Sequence, residues 1–183
     1  MYSPSGSGTI DAPSYGDSRE ASLRKQIRSD VIPEIPRDCY RTTSDFLPLK
    51  HDTSLSTIVA RLLPLTDGSL RTNAVYILEC FQNRDAGNVG AIRGASPRSI
   101  SRWQDAKSAR RILYVGATRD SVVARLDEHI NSPGDEGAYF TGIYPPVRVL
   151  SVDWYHSPKD AKVAKRVTAD LLQEAFPDDY VGY

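Results

Sequence analysis

The chain is 183 residues long and carries 23 Lys and Arg against 23 Asp and Glu, so its net charge is zero and no global basic field marks a nucleic-acid binder. Hydrophobic residues make up 40%, enough for the core of one ordinary domain plus extra segments. No apolar run approaches the ~20 residues of a membrane span, so no membrane partner is expected. Cys39 and Cys80 lie far apart and form no metal-ligand spacing. Met1 to Thr9 shows neither a basic n-region nor an apolar h-region. An intracellular, cytoplasmic protein with free thiols is expected, with a disulfide left open.

Residues 1–16 mix Ser, Gly, Pro and Asp with almost nothing to bury and read as a disordered N-terminus. Residues 17–72 form an accessory extension. Within it, Asp17 to Arg28 suits a short polar helix, and Pro33 to Lys50 an irregular arm. Thr53 to Leu63 suits a helix capped by Asp52 or Thr53, with Leu55, Ile58, Val59, Leu62 and Leu63 on one side. The extension is either a specificity arm or a cover for the sheet.

The main domain spans 73–183. Val75 to Phe81 is a strand of β-branched and aromatic residues. A long connection, 82–111, follows. Its second half carries Arg93, Arg98, Arg102, Lys107, Arg110 and Arg111 against a lone Asp105. With Trp103 for stacking and arginines for phosphate, it reads either as a DNA-contacting insertion or as a solvated loop. Ile112 to Gly116 is the next strand.

Thr118 or Asp120 caps a helix to about Ile130, with Val122, Leu126 and Ile130 inward. Pro133 to Gly137 is turn material, and Val147 to Tyr155 is a third strand. Ser157-Pro158 opens a last helix to about Phe176. Strand, insertion, strand, helix, strand, helix is the order of an α+β domain: a small sheet with helices against it.

Arg125 and His129 sit one turn apart on a shared helix face beside the apolar stripe, near the rim of the sheet. Tyr76 and Tyr114 occupy the two strands expected to be neighbours. A phenol, an imidazole and a guanidinium converging on one rim can position water, relay a proton and hold a phosphate. The plain alternative is that both tyrosines pack and the Arg/His pair faces solvent.

Taken together these residues resemble the GIY-YIG nuclease family. Ala74-Val75-Tyr76 stands in place of Gly-Ile-Tyr, Tyr114-Val115-Gly116 is similar to the second motif, and Arg125 and His129 resemble the family's helix residues. The resemblance covers about three-fifths of the chain, from Asn73 onward. Gly142-Ile143-Tyr144 spells the family name but precedes Pro145-Pro146, where a turn is expected, and is a chance match.

The resemblance implies a small three-stranded, mainly antiparallel sheet and hydrolysis of a DNA phosphodiester. Tyr76 would be the general base or lie beside it. Arg125 would stabilise the phosphate, with Tyr114 and His129 assisting and Gly116 at the nucleic-acid surface. The family's helix glutamate would hold one divalent cation, usually Mg2+, yet the equivalent position, four residues after Ala161, is Lys165. Lys165 either snorkels from the inward stripe, or sets its ammonium where the metal would be, or the register slips and Asp160 or Asp170 supplies the carboxylate; Glu174 is farther still. The alternative function is a degenerate domain that binds DNA or a protein without cutting.

Overall fold

The computed structural model describes residues 15–39, 53–82, 101, 103–132 and 139–183. Residues 1–14 of the segment expected to be disordered, the turn at Pro133 to Gly137, and Arg93, Arg98 and Arg102 lie outside the described residues, while residues 15 and 16, expected to be disordered too, open a helix instead.

The architecture is α+β, with one four-stranded sheet in the order β3-β1-β2-β4. The strands are β1 (Ala74–Cys80), β2 (Ile112–Thr118), β3 (Pro146–Trp154) and β4 (Tyr180–Gly182). β1 runs antiparallel to both β2 and β3, and β4 runs parallel to β2. The expected three-stranded sheet therefore becomes four-stranded and mixed. The extra strand forms because the last residues are tied down. Arg110 N–H donates to Asp178 O at 3.0 Å, and Tyr180 N–H to Arg111 O at 2.9 Å, which lays Tyr180–Gly182 beside Ile112–Tyr114.

All seven residues of β1 are buried, as a central strand covered on both faces requires. Strand alternation then sorts the side chains. Val75, Ile77, Leu113 and Val115 point to one layer, formed by α1 (Tyr15–Asp30) and a long final helix at Pro158–Ala175. Tyr76, Leu78 and Tyr114 point to the other, with α2 (Leu55–Leu62), α3 (Val122–Asn131) and the short α4 (Tyr139–Ile143); the final helix is α5.

Leu23 and Ile27 of α1 share a core with Val75 and Ile77, so this part of the extension covers the sheet. Arg19 pairs with Asp160, Arg24 and Arg28 with Glu174, and Arg166 with Glu20, which stitches α1 along α5.

Two helix starts differ from the sequence expectation. Ser54 caps α2 by accepting from Thr57 N–H, and Ser121 caps α3 by accepting from Ala124 N–H. Each serine lies three residues before the amide it serves, the spacing a side-chain cap needs. At the opening of α5, Ser157 accepts from Asp160 N–H and Pro158 takes the first helical position, as expected. Gly142-Ile143 falls in helix α4 rather than a turn, and the buried Tyr144 after it donates its hydroxyl to Trp103 O at 3.0 Å. Among the described residues, no helix is long and apolar enough to cross a membrane.

Candidate active site

Antiparallel pairing sets Tyr76 opposite Gly116, and Leu78 opposite Tyr114. The two tyrosines therefore share one face of the sheet. The Tyr76 ring crosses over Gly116: a Cβ there would lie 2.1 Å from Tyr76 Cζ. The glycine is the space that lets the phenol lie across β2, and its role here is internal fit.

α3 lays His129 onto this face. Tyr76 Oη and His129 Nε2 are 2.7 Å apart, and His129 Nδ1 is 2.9 Å from Thr141 Oγ1 on α4. Tyr114 meets the imidazole edge-on, with ring centroids 5.2 Å apart, and stacks on Phe140 at 5.4 Å. His129 is 1% exposed, so it belongs to the core and not to the rim where its spacing from Arg125 suggested. Arg125 stays half-buried, ion-paired to Glu128 and hydrogen-bonded to the Tyr76 phenol.

The electrostatics follow from this enclosure. Burial, then the charges of Arg125 and Lys165, hold His129 down to about 3, so the imidazole is neutral near pH 7. Burial, with Tyr114 beside it, pushes the Tyr76 phenol well above its usual range, against the opposing pull of Arg125. A neutral imidazole carries one N–H. With that proton on Nδ1, donated to Thr141, Nε2 is left to accept the Tyr76 hydroxyl proton. Tyr76, His129 and Thr141 then form a neutral hydrogen-bonded relay between β1, α3 and α4.

Lys165 stands on α5, the layer beyond the opposite face of the sheet, yet its charge reaches His129. Its ammonium lies 5.9 Å from the centroid of the Tyr183 ring. Burial, with Arg125 and Lys162 nearby, lowers its pKa. Lys165 lines a pocket of about 480 Å³ between the end of β2 and the first turns of α5. Ala117, Thr118, Arg119, Lys159 and Lys162 line the rest with Pro158 and Ala161. Among the described residues, four cations line this space and no carboxylate does.

The sequence assigned no role to Lys159 or Lys162, and none to Arg119 or Thr141 beyond their lying in stretches that resemble the family, Ala117 to Asp120 and Tyr139 to Thr141. The available signal was the three-residue spacing of Lys159, Lys162 and Lys165 along the start of α5.

The donor set does not suit a divalent cation. Lys165 occupies the position where the resemblance places a carboxylate. Asp160 is tied to Arg19, which holds its carboxyl below the usual range, and Glu174 to Arg24 and Arg28, while Asp170 is exposed and does not line the pocket. Glu128, whose charge reaches Tyr76, is paired with Arg125. Among the described residues, no three His, Cys, Asp or Glu side chains group as metal ligands.

The remaining described candidates, Arg110, Arg111 and Trp103, are engaged in the fold. Arg111 is buried, paired with Asp179 at 2.6 Å, and lies 4.8 Å above the Phe176 ring. Arg110 donates to the other oxygen of the same carboxylate at 3.1 Å. Trp103 packs edge-on against Phe140 with centroids 5.9 Å apart. Compared with protein-family models, with curated proteins and with solved structures, the chain matches none.

Proposed function

We propose that this is a GIY-YIG-like DNA endonuclease whose site hydrolyses phosphodiester bonds. The observation that carries the reading is the 2.7 Å hydrogen bond between Tyr76 Oη and His129 Nε2, with Arg125 on the same phenol. Arg125 supplies a planar donor set suited to two phosphate oxygens. An attacking water bonds to phosphorus and passes its proton to Tyr76 Oη as Tyr76 passes its own to His129 Nε2. The bond from phosphorus to the leaving oxygen breaks, and that oxygen takes a proton from solvent. His129 is a weak base by itself; a bound phosphate offsets the fields of Arg125 and Lys165 and raises its proton affinity.

One observation favours a second reading. Tyr76 is only 1% exposed, so the relay serves equally as a structural hydrogen bond. The open cations, Lys165, Arg119, Lys159 and Lys162, would then bind nucleic acid or an acidic partner without cutting. Plasmid nicking by wild type, Tyr76→Phe and Arg125→Ala decides between the two. The enzyme predicts nicking by wild type alone, with all three folded. A binding module predicts no nicking by any, with DNA affinity unchanged in Tyr76→Phe.

A further inference from the structure

We propose that phosphate charge at this site is balanced by the protein's own cations, with the Lys165 ammonium in place of a divalent metal and the bound strand continuing over Lys162, Lys159 and Arg119. The inference rests on the nucleic-acid reading above and names how that site holds its ligand.

Three independent features converge on it. First, two of the three carboxylates along α5 are committed elsewhere, Asp160 to Arg19 and Glu174 to two arginines, and the third, Asp170, is exposed and does not line the pocket. Those pairs hold α1 on α5. Second, the pocket brings Arg119 from the β2 turn together with Lys159, Lys162 and Lys165 from α5. Among the described residues, Arg119, Lys159 and Lys162 form no ion pair. Four like charges at one concavity repel one another and disfavour the empty state, and an anion removes that repulsion. Third, Lys165 is half-buried while Lys159 and Lys162 are exposed, so the lysines grade from an inner charge to an outer track. The inner charge lies close enough to Arg125 for each to feel the other. A phosphate at Lys165 meets a half-buried ammonium in a pocket that Lys162, Lys159 and Arg119 also line, so the protein's own charges can offset it.

The polymer is favoured over a small anion because the cations extend from the site rather than closing around a point. Each lysine contacting a phosphate of duplex DNA adds about one unit to the slope of log affinity against log salt.

The test measures binding of a fluorescein-labelled DNA duplex by anisotropy, with EDTA or with magnesium, alongside plasmid nicking. Wild type should bind equally in both buffers. Lys165→Gln should weaken binding about tenfold and Lys165→Arg should retain it, while Lys159→Gln and Lys162→Gln each lower the salt slope by about one. Binding or nicking that requires magnesium overturns the inference, as does full affinity in Lys165→Gln. So does displacement of the duplex by inorganic pyrophosphate at matched phosphate concentration, which would mark a site for a small anion. The two proposals fail separately. Metal-dependent nicking leaves the nuclease standing and removes the ammonium's role. Metal-free, Lys165-dependent binding without nicking does the reverse.

Discussion

Gly116 lies directly beneath the ring of Tyr76, and a methyl group at 116 would sit 2.1 Å from Tyr76 Cζ, inside any real contact distance. The glycine of the Tyr114-Val115-Gly116 motif is thus explained by a side chain on the neighbouring strand. Gly116→Ala should cost about 1–3 kcal/mol, as overpacking of a filled core does. Tyr76→Ala carries its own cost for the lost ring. The double variant should be less destabilised than the two costs summed, because removing the ring frees the space. Urea unfolding of the four proteins gives the coupling energy; strict additivity would place the ring elsewhere.

Tyr76→Phe keeps the ring and removes the hydroxyl that meets His129 Nε2. The imidazole nitrogen is then buried without that partner, at a cost of about 1–3 kcal/mol. Thr141→Val takes the partner from Nδ1 and should cost a similar amount. If nicking is real, Tyr76→Phe abolishes it while the circular dichroism spectrum stays native. Loss of stability with nicking intact would confine the hydrogen bond to a structural role.

Much of this site was legible in the sequence, and the reason is local. Tyr76 and Tyr114 carry a strand parity that puts them on one face once β1 and β2 pair, and Arg125 and His129 are one helical turn apart. The burial of His129 was also encoded and passed over. It lies seven residues after Val122, about 20° from it around the helix, which places it on the inward stripe. What could not be read was non-local. Arg111 finds Asp179 68 positions away, so a loop arginine that looked free for phosphate is an internal ion pair. β4 has three residues, too few for any periodicity to announce it. Arg119 joins the lysines of α5 only because β2 ends where α5 begins.

His129 gives the protein a predictable acid limit. Its pKa in the fold is about 3, below the 6.5 of a free histidine. The unfolded chain therefore takes up a proton near pH 6.5 that the folded chain refuses until about pH 3. Stability from this group is full above 6.5 and falls as pH drops toward 3, by up to about 1.4 kcal/mol per pH unit. His129→Gln should be less stable near neutrality yet show a shallower decline from about pH 6.5 to pH 4. Urea midpoints across that range measure it, and parallel curves would mean that other groups dominate the acid limb.

Asp179 holds two arginines, and the more buried of them, Arg111, lies over Phe176 at the end of α5. Removing the carboxylate strands a guanidinium that is 1% exposed, which for a broken buried pair costs about 3–5 kcal/mol. Asp179→Ala should also release β4, since Asp178 and Tyr180 on either side pair with the backbone of Arg110 and Arg111. Amide exchange at Tyr180, Val181 and Gly182 should then accelerate ahead of β1. The double variant Arg111→Met, Asp179→Leu removes both charges together and should recover part of the loss, because no charge is left buried without its partner. Duplex affinity in that variant should match wild type, since the pocket cations on α5 and the β2 turn are untouched. A fall in affinity with a native melting temperature would instead assign Arg111 to the nucleic-acid surface.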